Sequence, residues 1–301
     1  MKQELTFSGK VKEELAKHWS TSKHCQIAEI TAIISMCGKV TIDSRDRYAV
    51  KVRTENISVA RKCFTLLEKT FNIEAESLVS MNKSRGNITY TVFVKQHEDA
   101  MRLLQAMKLV DANGGCKRAF LRGAFLASGS MSHPEKSYHI EMVSASQAKA
   151  EQIQKLINSF GLDAKVILRK RSYVVYLKEG SQIVDLLNIM EAPIALMEME
   201  NVRILKEMRN SVNRKVNCET ANINKTVSAA TKQADDIRLI HEEMGLDKLP
   251  EGLQEIAELR LAYPDATLKE LGDLLTEPLG KSGVNHRLRK LSEIAEDIRN
   301  K

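Results

Sequence analysis

Glu29-Ile-Thr-Ala-Ile-Ile-Ser-Met-Cys-Gly38 and Phe120-Leu-Arg-Gly-Ala-Phe-Leu-Ala-Ser-Gly129 are the two segments from which the chain is best read. Both are apolar, rich in small residues, and stop at a glycine. They lie 91 residues apart, and the segments downstream of them match at the same offset. Arg47-Tyr-Ala-Val-Lys-Val52 aligns with Tyr138-His-Ile-Glu-Met-Val143, and both alternate as strands do. Helical segments come next, over 58–71 with Val59, Cys63, Leu66 and Leu67 on one face, and over 147–160 with Ile153, Leu156, Ile157 and Phe160. Each copy then shows two more strands, 74–79 and 88–94 joined through Ser84-Arg-Gly-Asn87, then 164–168 and 173–177 joined through Arg169-Lys-Arg-Ser172. Short helices near 98–107 and 182–190 close the copies. The unit reads αββαββα twice, with Asn113-Gly-Gly115 as the hinge, so the fold class is α+β with internal two-fold pseudosymmetry.

Composition sets the frame around this repeat. The 301 residues are enough for two or three domains and a sizeable core, and 43% apolar with 28% charged residues is an ordinary globular mixture. No window approaches the roughly 20 apolar residues of a spanning helix. The opening Met1-Lys-Gln-Glu-Leu-Thr-Phe7 lacks the apolar stretch of a signal peptide. The expectation is a cytoplasmic protein without a membrane partner. Cys25, Cys37, Cys63, Cys116 and Cys218 are dispersed with no Cys-x-x-Cys pair, which fits a reducing compartment. No metal site and no cofactor are expected from that spacing. The seven histidines are scattered too, and His133 and His139 read better as a loop and a strand residue than as a ligand pair.

The net charge of +7 hints at an anionic partner, and its distribution says more than its total. Residues 117–178 hold 11 basic and 4 acidic side chains, whereas 201–301 hold 17 of each. Within that neutral last third, Lys281, Arg287, Arg289 and Lys290 fall in ten residues without one acid.

The Gly-terminated helix opening each αββαββα unit resembles the LAGLIDADG homing-endonuclease fold. In that fold the two helices pack at the pseudo-two-fold axis, where Ala32, Gly123 and Ala127 would permit close approach. The terminal glycines are compatible with a helix C-terminus. The resemblance implies an acidic metal ligand just before each glycine, because a hard cation such as Mg²⁺ is held by carboxylates. Those positions are Cys37 and Ser128, and two residues earlier stand Ser35 and Leu126. Glu29, Asp43 and Glu135 are the nearest carboxylates, at unmatched positions. The scaffold is kept and its nuclease chemistry is not, so no catalytic residue is assigned. The family's sheets form a saddle over duplex DNA, so Lys165, Arg169, Lys170 and Arg171 are candidate backbone contacts. A solvated turn explains those four residues equally well.

Beyond residue 191 strand signals end. Ala192-Pro193 breaks the preceding helix, Glu198 to Asn217 reads as a polar helical connector, and 222–244 reads as a further helical stretch ending at Gly245. Glu251–Ala262 is amphipathic. Thr267 and Glu270 form a capping box for a second helix, and a third starts near Ser282. Two helices, a turn and a basic helix make a helix-turn-helix layout. Val284, Leu288, Leu291 and Ile294 form the inner stripe of the third helix. Ser282, Asn285, His286 and Arg289 share its exposed face, and Arg287 and Lys290 flank it for phosphate. A three-helix protein-docking module would show the same pattern. The expected segments are an N-terminal helix (1–25), two repeats (26–115 and 116–191), a connector (192–245) and the helix-turn-helix domain (246–301).

With this combination, and with Thr6-Phe-Ser-Gly-Lys-Val-Lys-Glu-Glu-Leu-Ala16 and the run from Lys117 to Tyr138, nearly the whole chain resembles the WhiA family. The resemblance implies a non-enzymatic, nucleoid-associated regulator that binds double-stranded DNA. It further implies roles in cell division and chromosome segregation, in sporulation in some bacteria, and protein partners in transcription or division. Two other readings are a protein-interaction scaffold tethered to DNA and an active homing endonuclease.

Overall fold

A computed structural model describes residues 5–81, 88–113 and 116–300. The expected turn at Ser84–Asn87 and the Gly114-Gly115 part of the hinge lie outside these residues. The chain forms two compact units, Met1–Lys206 and Glu207–Lys301.

The first unit opens with helix α1 (Phe7–Lys17), whose N-cap Thr6 accepts a hydrogen bond from the Gly9 amide at 3.2 Å and which buries Phe7, Val11 and Leu15. Two copies of one pattern come after it. The first is α2 (Lys23–Cys37), β1 (Gly38–Ile42), β2 (Tyr48–Thr54), α3 (Ile57–Phe71), β3 (Glu76–Met81), β4 (Ile88–Val94) and α4 (His97–Asn113). The second is α5 (Lys117–Ser128), β5 (Gly129–Met131), β6 (Ile140–Ser144), α6 (Gln147–Asn158), β7 (Lys165–Arg169), β8 (Ser172–Leu177) and α7 (Gly180–Met190). Their sheets have the same antiparallel order, β1-β2-β4-β3 and β5-β6-β8-β7. The duplicated αββαββα unit is therefore real, with element ends shifted by a few residues from the sequence pattern.

Strand alternation places each sheet's apolar side against helices. Val50 pairs with Val94 and Val52 with Val92, all four buried, and Met142 with Val175 and Ile140 with Leu177 do the same in the second sheet. Helices α2 and α5 are different. Every residue from Ala28 to Ile34 and from Ala119 to Leu126 is buried, including Glu29 and Arg122. A helix buried on all sides belongs at the centre of a domain. Its neighbours must then come close, and Gly123 is where they do. A Cβ built there would lie 2.3 Å from the Glu29 carbonyl oxygen and 2.9 Å from the Ala32 Cβ. Here a side chain is excluded by backbone, which does not move aside.

The glycines close these helices as expected, but not in the usual backbone conformation. Gly38 and Gly129 have φ −90° and −77° with extended ψ, not the left-handed conformation of a glycine C-cap. Each is instead the first residue of a strand that leaves its helix abruptly. A Cβ would sit 2.4 Å from the Ile34 carbonyl oxygen at Gly38 and 2.3 Å from the Phe125 ring at Gly129. Glycine is needed for space rather than for backbone freedom.

The connector also departs from the sequence reading. Helix α8 (Pro193–Glu243) is continuous for 51 residues, where two separate helical stretches were expected. The polar run Asn217–Asn222 contains neither Gly nor Pro, so nothing in it obliges a break. In the second unit the end of α8 gives Ile237 and Ile240 to a core shared with α9 (Glu251–Ala262), α10 (Leu268–Asp273) and α11 (Lys281–Arg299). Thr267 and Glu270 close the expected capping box on α10.

Replacing Gly123 by Ala is expected to destabilise the protein by about 1–3 kcal/mol through overpacking. Gly280→Ala, where nothing lies within 4 Å of the new Cβ, is expected to change little. Denaturant titrations of the two variants measure the contrast.

Candidate nucleic-acid interface

Helix α11 is held by its apolar stripe. Val284, Leu288, Leu291 and Ala295 are buried against α9 and α10, while Ile294, expected in that stripe, is half-buried. The turn before it is pinned by the Leu279 amide donating to the Gly272 carbonyl at 3.1 Å and the Thr276 amide donating to Glu255 at 2.6 Å. Donation from the Thr276 backbone holds the Glu255 carboxyl below its ordinary range. Arg260, almost fully buried, donates to the carbonyls of Pro264 (3.2 Å) and Ala266 (2.8 Å) and fixes the turn between α9 and α10. Position and orientation of α11 therefore rest on apolar contacts plus backbone groups satisfied from side chains.

With that stripe inward, Lys281, Ser282, Asn285, His286, Arg289 and Lys290 are all exposed. Most lie on the first two turns, where the amide ends of the helix add partial positive charge. No acid occurs between Glu277 and Glu293. Arg287 is the exception. Its guanidinium is half-buried and donates to the Gly252 carbonyl at 3.1 Å, so it ties α11 to the start of α9 rather than standing free beside the exposed face. Helical phase explains this, because residue 287 lies three residues after Val284 and one before Leu288, at the edge of the buried stripe.

In the first unit the basic residues of β7 and its turn are differently engaged. Arg169 forms a two-pronged pair with Glu141, at 2.9 and 3.0 Å, and His139 Nε2 lies 3.2 Å from the same carboxylate. The hydrogen bonds from Arg169 hold the Glu141 carboxyl below its ordinary range. Lys165 is exposed at 3.6 Å from Asp163, and Lys170 occupies the left-handed region (φ 59°) in the tight turn beside exposed Arg171. Lys165 and Arg169 alternate on one face with Ile167, as the strand period requires.

Cys37 and Ser128 stand at the C-terminal ends of α2 and α5. Each side chain turns back on its own helix: the Cys37 thiol donates to the Ile33 carbonyl at 3.3 Å, and the Ser128 hydroxyl to the Ala124 carbonyl at 3.1 Å. Burial pushes the Cys37 thiol up to about 11, against the pull of Lys12, so it is neutral near pH 7. The adjoining cleft is lined by Lys12, Arg53, Asn56 and Ala127, and among the described residues that line it Glu55 is the one acid. One carboxylate among two cations is a poor nest for divalent ions, which need paired acids. Asp43 is taken up by the Arg45 and Arg47 amides and the Arg47 side chain. Glu135 is exposed in the turn after β5.

Glu29 has a structural task that sequence reading missed. Fully buried, it lies 3.3 Å from both Lys62 of α3 and Arg122 of α5. Burial pushes its carboxyl up and the two cations pull it back. Arg122 also reaches Ser20 Oγ at 2.7 Å, the Met190 carbonyl at 3.4 Å and the Glu191 carboxylate. A signal for it exists in the sequence: a lone acid in one central apolar helix and, in the other, an arginine set inside an apolar run.

Three family models match the chain: a WhiA N-terminal LAGLIDADG-like domain over residues 23–110, a WhiA LAGLIDADG-like domain over 117–209 and a WhiA C-terminal helix-turn-helix domain over 212–295. A probable cell division protein WhiA of Lachnoclostridium phytofermentans is 54% identical over 98% of this chain and all of its own length. One from Clostridium perfringens is 49% identical over 98% of this chain and 99% of its own. Among solved structures, full-length DUF199/WhiA from Thermatoga maritima superposes with TM-score 0.60 at 28% identity, covering 97% of this chain and 98% of that one. The N-terminal LAGLIDADG domain of DUF199/WhiA matches with TM-score 0.52 at 21% identity, over 62% of this chain and 91% of that one.

Two measurable outcomes come from this geometry. Arg287→Ala is expected to lower the stability of the second unit by about 0.5–1.5 kcal/mol, since it removes the side-chain bond that ties α11 to the start of α9, whereas Arg289→Ala leaves stability within about 0.5 kcal/mol. Chemical denaturation followed by a probe in that unit separates them. The lowered Glu141 carboxyl contributes stability that is present above the ordinary glutamate range and is lost as pH falls through its depressed value. Arg169→Ala removes that contribution, so its difference in Tm from the parent is expected to be larger near neutral pH and to shrink below about pH 4.

Proposed function

Because the chain belongs to the WhiA family, we propose that it is a DNA-binding protein of cell division that recognises DNA through α11 and does not cut it. The observation carrying this reading is the exposed, acid-free face of Lys281, Ser282, Asn285, His286, Arg289 and Lys290 on a helix fixed in a helix-turn-helix. Arg and Asn are the side chains that pair bidentately with guanine and adenine edges in the major groove. Ser282, Asn285, His286 and Arg289 read bases, while Lys281 and Lys290 contact phosphate and set register. Arg287 positions α11 and reaches phosphate only at the expense of its bond to Gly252. Lys165, Lys170 and Arg171 supply secondary backbone contacts, and Arg169 joins them only by leaving Glu141.

Cleavage is set aside on chemical grounds. The places that carry acids in the nuclease relatives of this fold hold a neutral thiol and a hydroxyl bonded to their own helices. The proposal extends to transcriptional control of division and chromosome segregation, to sporulation where the host sporulates, and to a cytoplasmic, nucleoid-associated location. No helix among the described residues is long and apolar enough to cross a membrane.

Arg289→Ala and Asn285→Ala are expected to cost about 1–3 kcal/mol of affinity and to relax preference at one base position each, whereas Lys290→Ala weakens all sequences alike and flattens the salt dependence by about one counterion. Anisotropy titrations over a salt series read both effects, and unchanged affinity in Arg289→Ala defeats the assignment. Incubation with plasmid and Mg²⁺ or Mn²⁺ is expected to leave the DNA intact. Cleavage that disappears in a Glu55→Gln variant would overturn the non-enzymatic reading.

A further inference from the structure

Cys25 and Cys116 are 91 residues apart, the repeat offset itself. One lies in the first turn of α2 and the other is the N-cap of α5, so the two-fold pseudosymmetry brings them together at one end of the central helix pair. Cys37 and Ser128 mark the other end. His24 joins them: a ring nitrogen of His24 and the two sulfurs all lie within 4.8 Å of one another, and its Nε2 is 3.3 Å from the Cys25 Sγ. We propose that His24, Cys25 and Cys116 bind a zinc-class cation that staples the two halves of the core.

Several features converge on that ligand. Two thiolates and an imidazole are the donor set of zinc and other soft or borderline ions, and not of Mg²⁺ or Ca²⁺. With metal–sulfur bonds of about 2.3 Å and metal–nitrogen bonds of about 2.0 Å in a tetrahedron, ligand atoms stand roughly 3.3–3.8 Å apart. Atoms already within 4.8 Å of one another close by about 1.5 Å at most to reach that spacing. Cys116 is well placed to cap α5 but makes no side-chain cap bond, so its sulfur is not committed to the helix. Both sulfurs sit at helix N-termini, where negative charge on a thiolate is favoured. Both are half-buried and His24 is exposed, which leaves a route for the ion and a fourth position for solvent. Binding the ion forms two metal–sulfur bonds and releases to solvent whatever protons the thiols carry, with no oxidant needed.

The test uses the full-length protein, reduced and stripped of metal, titrated with Co²⁺ and then Zn²⁺ under anaerobic conditions. One equivalent of Co²⁺ is expected to give thiolate-to-metal charge-transfer bands and the visible bands of a tetrahedral site, bleached by one equivalent of Zn²⁺. Zn²⁺ is expected to raise Tm. Cys25→Ser/Cys116→Ser should abolish the bands, His24→Ala should weaken binding at least tenfold, and Cys37→Ser or Cys218→Ser should change neither. A protection assay stands without variants: Zn²⁺ should shield Cys25 and Cys116 from alkylation while exposed Cys218 still reacts. Absence of thiolate bands, or bands that survive the double variant, overturns the proposal. So does a Cys25–Cys116 disulfide in freshly purified protein that binds no Zn²⁺ once reduced.

Discussion

The crossing of α2 and α5 is the constraint from which the larger unit is built. Two helices buried on every side can sit at a domain's centre only if their backbones approach closely and their polar side chains find partners there. Gly123 meets the first requirement against the Glu29 carbonyl. Glu29, Lys62 and Arg122 meet the second, joining α2, α3 and α5, with Arg122 reaching on to the end of α7. Buried ion groups of this kind add little net stability compared with an apolar replacement, yet removing one member typically costs about 3–5 kcal/mol because a buried charge is stranded.

Around that crossing the same chain pattern is used twice, and the ends of the helix pair have different chemistry. At the C-terminal end a thiol and a hydroxyl bond back to their own helices and Lys12 stands nearby. Neither side chain is a carboxylate, so these two positions offer a hard cation no paired acids. Positive charge has settled elsewhere, on the exposed side of α11. That side is available because Val284, Leu288 and Leu291 take up the opposite face, and because Arg287 is spent on Gly252. Apolar packing that places the helix and the polar groups it leaves exposed thus occupy opposite faces of α11.

How much of this was legible in sequence depended on the range of the interactions. The repeat was legible because fold duplication leaves offsets in apolar pattern, and the α11 stripe was legible because helical period is local. The terminal glycines end their helices as the sequence suggested, but their steric need, set by Ile34 and Phe125, is invisible without coordinates. The continuity of α8 was missed because a polar, mostly exposed helix shows little amphipathic rhythm over its middle. Arg287 and Arg169 were counted as free cations because a single sequence does not show which carbonyl or carboxylate lies opposite. Dispersed cysteines gave no sign that the fold sets residue 25 beside residue 116.

Recognition of DNA through α11 is tested most directly inside the cell. Genome-wide occupancy of the full-length protein is compared with that of its Asn285→Ala/Arg289→Ala double variant at matched cellular levels. Discrete sites should vanish in the variant while diffuse binding persists. An unchanged set of sites at unchanged occupancy would refute reading by α11, and would place recognition on the sheets of the duplicated core instead.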